Sequence, residues 1–215
     1  MSTFTRVTSE FLGTFLLVTT VVGSGIMASQ LTDDVALMLL INSISTAAIL
    51  LVSITLFSHF SGAHFNPAVS LYCVLTKKLS IGDFLFYCAA QMLGAISGVV
   101  SAHLMFGYQL IEVSTHIRVS SGTFVSEVLA TCGLLMIITL QPQKAFWLVP
   151  AWIGGAYFFT SSTSFANPAV TVARSLTDSF SGIAPSSVLP FLAAQIVATI
   201  LASFIFQFFS REAKS

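Results

Sequence analysis

Long apolar stretches free of Asp, Glu, Lys and Arg divide this chain into six parts. A helix needs about 20 residues to cross the roughly 30 Å hydrocarbon core of a bilayer, and most of these stretches have the length of one span. They cover residues 11–32, 35–76, 84–111, 128–143, 145–173 and 179–210. The pattern predicts a bundle of membrane-spanning helices.

One stretch, residues 35–76, is too long for a single span. Its 42 residues would form a helix of roughly 63 Å, about twice the membrane thickness. Gly62, Asn66 and Pro67 also interrupt it. We therefore predict a span over about 36–57, followed by a segment that enters the membrane and returns.

Residues 145–173 repeat this pattern, with Asn167-Pro168 near the end of the stretch. The fourth stretch is short only because Glu127 lies inside a span of about 120–140. The expected fold class is an all-α membrane protein with six transmembrane helices and two re-entrant half-helices.

Composition leads to the same class. Only 7% of the residues are charged, against about 25% in a typical soluble protein, and the mean hydropathy is +0.93. The net charge of zero argues against a nucleic-acid partner, which needs a basic surface. Cys73, Cys88 and Cys132 lack metal-ligand spacing, so we expect neither metal nor cofactor.

The distribution of basic residues predicts the orientation. Six would lie on the cytoplasmic side if both termini are inside: Arg6, Lys77, Lys78, Lys144, Arg211 and Lys214. Only Arg118 and Arg174 would lie outside. Since cytoplasmic loops carry an excess of Lys and Arg, we expect a multi-pass protein of the cell inner (plasma) membrane with both termini cytoplasmic.

The chain contains an internal repeat. Three pieces recur in the same order: Ser9–Thr14 with Ser126–Thr131, Phe65–Ser70 with Ala166–Thr171, and Ala89–Gln91 with Ala193–Gln195. Residues 1–111 and 112–215 would form two units of three spans, with re-entrant half-helices at 66–77 and 167–178. Because three is odd, the two units must lie in opposite orientations, which places a site near the midplane.

Each unit contains the tripeptide Asn-Pro-Ala. Proline loses nothing in the first turn of a helix, and asparagine is a favourable N-cap. The tripeptides therefore predict two short helices that begin inside the membrane, where irregular backbone is tolerated only along a water-filled path or inside protein. The predicted pore residues are Asn66, Pro67, Ala68, Asn167, Pro168 and Ala169.

The two boxes SGAHFNPAVS and SFANPAVTVAR, in a six-span inverted repeat, resemble the major intrinsic protein family of aquaporins and glycerol facilitators. The resemblance implies an hourglass pore in each subunit, a homotetramer, no catalysis, and passive movement of water or small uncharged solutes. It also implies that the Asn66 and Asn167 amides donate to a solute oxygen at the midpoint, which excludes protons and ions.

Acidic residues inside lipid usually face the bundle interior. By the resemblance, Glu10 and Glu127 would accept hydrogen bonds from the re-entrant loops and hold their shape. His64 fits the family's loop pattern, and we expect it to order the backbone.

The predicted selectivity filter departs from the family pattern. In water-selective members the second Asn-Pro-Ala is followed by Arg, whereas this chain has Val170. Thr46 occupies the position of a bulky aromatic residue, and Ser164 completes the loop side. The fifth span would contribute Thr160, Ser161 or Ser162, and the predicted filter includes Ser161. A filter without the aromatic and the arginine should be wide.

Arg174 lies one helical turn beyond Val170. We predict that it lies in the outer vestibule, paired with Asp178. Three interpretations remain open: it disfavours entry of cations, it forms a surface ion pair of small energy, or it reaches inward as a substitute filter arginine.

The predicted function is a passive channel for water and larger neutral polyhydroxy solutes such as glycerol or arsenite. The Val-for-Arg pattern resembles a bacterial branch of the family associated with metalloid resistance. One alternative is an orthodox water-selective aquaporin. A more remote alternative is a secondary transporter, which would need an ion-coupling carboxylate near the midplane.

Overall fold

A computed structural model describes residues 1–212 of the chain, in which all regular structure is helical. The α-helices are α1 Thr3–Leu31, α2 Val35–Ser61, α3 Pro67–Leu75, α4 Ile81–Phe106, α5 Ser121–Leu140, α6 Ala145–Phe159, α7 Pro168–Ala173 and α8 Pro185–Glu212. Short 3₁₀ turns, Pro142–Lys144 and Arg174–Leu176, precede α6 and follow α7. Lys214, one of the predicted cytoplasmic charges, lies outside the described residues.

Within residues 1–212, five helices are long and apolar enough to cross a membrane: α1, α2, α4, α5 and α8. The remaining predicted span is α6, the fifth along the chain; it has 15 residues, which corresponds to about 22 Å. The 3₁₀ turn before it adds about 6 Å. This fifth span therefore reaches nearly the hydrocarbon thickness only when both pieces are counted.

Local sequence explains where several helices begin and end. The Asp34 carboxylate caps α2 by accepting the backbone N–H groups of Ala36 and Leu37 at 2.8 and 3.1 Å. Gly62 ends α2 with a φ of +87°, and Gly107 follows α4 with a φ of +72°. Glycine adopts this left-handed conformation without steric cost.

Helices α1 and α4 pack closely because α4 has two glycines on the facing side. A Cβ at Gly94 would lie 2.5 Å from the Phe11 carbonyl oxygen, and one at Gly98 would lie 2.9 Å from the Phe15 carbonyl oxygen. Any larger residue would force the two backbones apart, as expected for a small-residue interface between membrane helices.

The two half-helices, α3 and α7, begin at the predicted prolines and end somewhat earlier than predicted. The loops before them contain five non-glycine residues at positive φ: Ala63, Phe65, Thr163, Ser164 and Ala166. Such conformations persist only where the surroundings hold them. The contacts that hold these loops therefore determine the shape of the centre of the molecule.

Candidate permeation pathway

A cavity of about 210 Å³ lies between the two half-helices and the long helices. Much of its wall is apolar, formed by Leu17, Val21, Leu50, Ile54, Val69, Leu134, Ile138, Val149 and Ile153. Polar lining residues include His64 beside the first loop and four others that we call the polar end: Thr46, Tyr157, Ser164 and Arg174. Asn66 and Asn167 also line the cavity.

The two asparagines join the half-helices. The Oδ1 atom of Asn66 caps α3 by accepting the Ala68 N–H at 2.9 Å, and its Nδ2 donates to the Ala166 carbonyl at 2.7 Å. Asn167 repeats this arrangement: its Oδ1 accepts the Ala169 N–H at 3.0 Å, and its Nδ2 donates to the Phe65 carbonyl at 2.8 Å. Each asparagine Nδ2 thus makes one hydrogen bond to the other loop within residues 1–212.

The remaining residues of the two tripeptides shape the helix starts. Pro67 and Pro168 occupy the first turns of α3 and α7, and Ala68 and Ala169 are buried. None of these four side chains lines the cavity in the described part of the chain. Their contribution is to place the asparagine amides.

Glu10 binds the first re-entrant loop from behind. Its Oε1 accepts the Ser61 hydroxyl at 2.6 Å and the His64 N–H at 2.9 Å. Its Oε2 accepts the Phe65 N–H at 2.6 Å and the Gln91 side-chain amide at 2.8 Å. The carboxylate is fully buried, and its hydrogen bonds stabilise the left-handed backbone of the loop.

Glu127 makes the matching contacts in the second loop. Its oxygens accept the N–H groups of Phe165 and Ala166, both at 2.8 Å, and the Gln195 amide at 2.6 Å. Glu127 is fully buried as well. Both carboxylates are therefore occupied by hydrogen bonds behind the loops.

Two glutamines extend these clusters, and the sequence analysis did not place them in the site. Gln91 also donates to the Ser70 hydroxyl at 3.1 Å, and Gln195 donates to the Thr171 hydroxyl at 2.9 Å. Each glutamine thus connects the glutamate that binds a loop to the half-helix that follows that loop. The recurring Ala-Ala-Gln tripeptide was the signal that could have identified them.

His64 lines the cavity next to the first loop. Its Nδ1 lies 3.0 Å from the Ser70 hydroxyl, and its Nε2 lies 3.7 Å from the Cys73 sulfur. Both ring nitrogens therefore have protein neighbours on α3, and the backbone N–H is held by Glu10.

The polar end differs from the predicted filter at the fifth span. Ser161 is exposed and forms a hydrogen bond with Ser126 at 3.0 Å. Within residues 1–212, neither Ser161 nor its neighbours Thr160 and Ser162 line the cavity. The prediction of Ser161 as a filter residue is wrong, because α6 ends at Phe159 and Ser161 is exposed in the turn that follows.

The α6 helix contributes Tyr157 instead. Residues Ala145, Val149, Ile153 and Tyr157 are spaced four apart and all line the cavity, as one face of a helix should. The Tyr157 hydroxyl lies 3.1 Å from that of Thr46, which also donates to the Asn42 carbonyl at 2.8 Å. Tyr157 is thus an aromatic lining residue on the fifth span, where the sequence analysis predicted only serine or threonine.

Thr46, Ser164 and Val170 line the cavity as expected. Val170 is 5% exposed and presents an apolar surface to the cavity. The Ser164 hydroxyl is buried and has no hydrogen-bond partner within residues 1–212. It can therefore bind a solute in the cavity.

Arg174 does not form the predicted ion pair. It is 2% exposed, its guanidinium carbon lies 3.6 Å from the centre of the Phe165 ring, and its Nε donates to the Ser181 carbonyl. The ion pairs in the described part of the chain are Arg6–Asp83 and His116–Asp178. The Arg174–Asp178 pairing is wrong, and so is the interpretation of Arg174 as a surface ion pair.

Asp178 belongs to an outer-loop cluster instead. Its carboxylate accepts the Thr115 N–H at 2.7 Å and the Thr115 hydroxyl at 3.0 Å, and it lies 3.7 Å from His116. The backbone N–H of Thr115 is the main cause of the lowered pKa of Asp178. Asp178 thus connects the loop before α5 to the segment after α7.

Comparison with known proteins places the chain among membrane channels. Residues 1–165 match the model of the major intrinsic protein family. The chain is 46% identical over 201 residues to aquaglyceroporin AqpS of Rhizobium meliloti, covering 92% of this chain and 86% of that protein. It is also 39% identical over 103 residues to human aquaporin-4, covering 46% of this chain and 31% of that protein.

The fold resembles that of a solved aquaglyceroporin from Plasmodium falciparum. The TM-score is 0.72 at 23% identity, and the match covers 97% of this chain and 96% of that chain. The predicted all-α fold is confirmed by this likeness.

Proposed function

The chain belongs to the major intrinsic protein family, and from this premise we propose that it is a passive channel for water and small uncharged solutes of the glycerol type. The family consists of channels, not enzymes. The observation that carries the proposal is the cavity itself, in which two asparagine amides face an apolar wall. Across residues 1–212, no carboxylate lines it.

The lining favours neutral solutes over ions. A hydroxylated solute can exchange part of its hydration for the amides of Asn66 and Asn167 and the hydroxyls of the polar end. An ion loses far more hydration energy, which an apolar wall does not return. Water and small polyols are therefore the expected permeants.

The polar end supports a polyol more than water alone. Thr46, Tyr157 and Ser164 offer hydroxyls, whereas Val170 and Phe165 offer apolar surface to the same cavity. A polyol has both hydroxyl and C–H surface, so such a lining can contact all of it. Glycerol fits this chemistry, and so does arsenite, which is an uncharged trihydroxide at neutral pH.

The buried glutamates support a scaffolding role. We assign Glu10 and Glu127, with Gln91 and Gln195, to holding the two re-entrant loops in place. Their matching contacts support the division into inverted repeats at 1–111 and 112–215. We further propose a homotetramer in the cell inner (plasma) membrane with both termini cytoplasmic.

A secondary transporter is the second candidate, and the buried acids argue against it. Glu10 and Glu127 accept four and three hydrogen bonds, respectively, behind the loops. Coupling to an ion would require a carboxylate that the ion can reach. A transporter would show saturable uptake driven by an ion gradient, whereas a channel gives flux that rises linearly with solute.

Stopped-flow light scattering on proteoliposomes exposed to a glycerol gradient tests the proposal. Rapid shrinkage reports water flux, and re-swelling reports glycerol entry. We expect both to be faster than in protein-free liposomes, with arsenite uptake as the next assay. Fast shrinkage without re-swelling would identify an orthodox water channel, and no change in either rate would contradict a channel function.

A further inference from the structure

We propose that this pore separates charge selection from size selection, with Arg174 excluding cations one helical turn away from the neutral residues that sort solutes by size. The inference rests on the proposed channel function and assigns a specific role within it. The neutral layer is formed by Thr46, Tyr157, Ser164 and Val170, and the charged layer by Arg174 and the Phe165 ring beneath it.

The spacing of the two layers follows from the backbone. The N–H of Arg174 donates to the carbonyl of Val170, so the two residues are one turn apart on the same side of the half-helix. Four residues of helix correspond to about 6 Å. Both side chains line the cavity. A solute therefore meets them in succession.

Arg174 forms no salt bridge with a carboxylate within residues 1–212: Glu127 is the acidic group whose charge acts on it, from beyond contact distance, and Arg118 opposes that effect. The two ion pairs of residues 1–212 involve other groups, and Arg174 is 2% exposed. The guanidinium instead contacts a carbonyl oxygen and an aromatic ring, which carry no net charge. Because water screens a buried charge poorly, a cation at this point experiences repulsion that a neutral solute does not.

The guanidinium is also held in position. Ser181, whose carbonyl accepts from Arg174 Nε, lies at the end of a chain of hydroxyl contacts. The imidazole of His103 lies 2.8 Å from Thr177 Oγ1, which donates to Ser179 Oγ at 3.0 Å, and Ser179 Oγ lies 3.1 Å from Ser181 Oγ. This chain ties the loop after α7 to the end of α4. Arg174 is thereby kept at the cavity wall.

The two layers make different predictions for substitution. Removing the charge at Arg174 should admit cations and leave the neutral layer unchanged. Changing Val170 or Tyr157 should alter the size of permitted solutes and leave cations excluded. If one arginine performed both tasks in a single layer, the two effects would appear together.

The test compares Arg174→Met and Arg174→Gln with Arg174→Lys in proteoliposomes. Sodium and proton entry and the ratio of glycerol to water permeability are measured on each. We expect the two uncharged variants to raise cation entry by at least about tenfold, since one close unit charge is removed at an effective dielectric constant near 20. The glycerol-to-water ratio should change by less than about twofold, a difference of under about 0.5 kcal/mol. The lysine variant should resemble the parent protein.

Arg118→Met is the matched control. Arg118 lies near the same aromatic ring, with its guanidinium carbon 5.6 Å from the ring centre, but it does not line the described cavity. We expect this variant to leave cation entry unchanged. A rise equal to that of Arg174→Met would overturn the assignment to Arg174.

Other outcomes also separate the proposals. Cation entry that stays at the parent level in a folded uncharged variant, monitored by size-exclusion chromatography, would refute the inference alone. A shift in the glycerol-to-water ratio as large as that caused by changing Val170 would refute the separation of layers. Failure of the parent protein to pass glycerol would instead contradict the proposed function.

Discussion

The hydroxyl groups of Thr46 and Tyr157 lie 3.1 Å apart and join α2 to α6 at the polar end of the cavity. Tyr157 is 3% exposed and Thr46 is also 3% exposed, so this contact is shielded from bulk water. Because the ring is carried by a helix and its hydroxyl lies beside that of Thr46, it has a defined place in the cavity wall. The pair connects the two halves of the sequence at the cavity wall.

Replacing Tyr157 with Ala should widen the neutral layer. We expect permeability to a five-carbon polyol, relative to glycerol, to rise on the order of tenfold, which corresponds to about 1.4 kcal/mol of barrier. Light scattering with the two polyols measures the ratio. Tyr157→Phe keeps the ring and removes only the hydroxyl, so its ratio should stay near that of the parent; equal ratios in the two variants would argue against size selection by the ring.

Replacing Val170 with Arg should narrow the same layer. The longer side chain adds both bulk and charge at a buried position in the wall, so glycerol permeability should fall by more than about tenfold while water permeability falls less. Val170→Ile adds one methylene without charge and serves as the control. If glycerol and water fell in parallel in the arginine variant, Val170 would not be a size-selecting residue.

Glu10→Gln and Glu127→Gln should each destabilise the protein. An amide nitrogen placed where an oxygen accepts a backbone N–H leaves a buried donor unpaired, at a cost of about 1–3 kcal/mol for each lost bond. Thermal unfolding in detergent should show a clearly lower unfolding temperature for both variants. Their glycerol flux should also be reduced. Glu112 is a partly exposed loop residue, so Glu112→Gln should leave the unfolding temperature nearly unchanged. Unchanged unfolding temperatures in Glu10→Gln and Glu127→Gln would contradict the scaffolding role.

Asp178 should stabilise the protein at neutral pH and lose this effect as the pH falls. The backbone N–H of Thr115 holds the pKa of this carboxyl below its usual range. A carboxyl group whose pKa is lower in the folded state stabilises the protein at any pH above its unfolded-state pKa of about 4. This stabilisation is lost as the pH falls through the folded-state pKa. The parent protein should therefore melt above Asp178→Asn at neutral pH, and the difference should vanish in strong acid.

The control for Asp178 is Asp33→Asn in the exposed loop between α1 and α2, which should show no comparable difference. A gap between parent protein and Asp178→Asn that persists in acid would mean that the carboxylate charge is not what binds Thr115.

Much of the fold and part of the site could be predicted because their causes are local. Each Asn-Pro-Ala tripeptide contains both the N-cap and the first turn of a helix, so α3 and α7 begin where the sequence predicts. A long charge-free stretch must fold back, since one helix cannot extend to twice the membrane thickness. The repeat likewise drew attention to Glu10 and Glu127, which lie at matching positions in its two copies.

Gln91 and Gln195 mark the limit of that reasoning. Their tripeptide recurs in the sequence, but nothing local shows that each side chain reaches both a glutamate on another helix and a hydroxyl on a half-helix. That contact depends on how α4 packs on α1 and how α8 packs on α5.

The amino-acid sequence by itself determined that this is a helical membrane channel with two asparagine-capped half-helices, because composition, span length and capping act within short segments. Only the tertiary structure decided which side chains form the polar end. Tyr157 lines the cavity in place of Ser161 because it lies on the cavity-facing side of α6, whereas Ser161 lies in the exposed turn after that helix. Arg174 lines the cavity without an acidic partner because a ring and a carbonyl, brought in by other segments, hold it there.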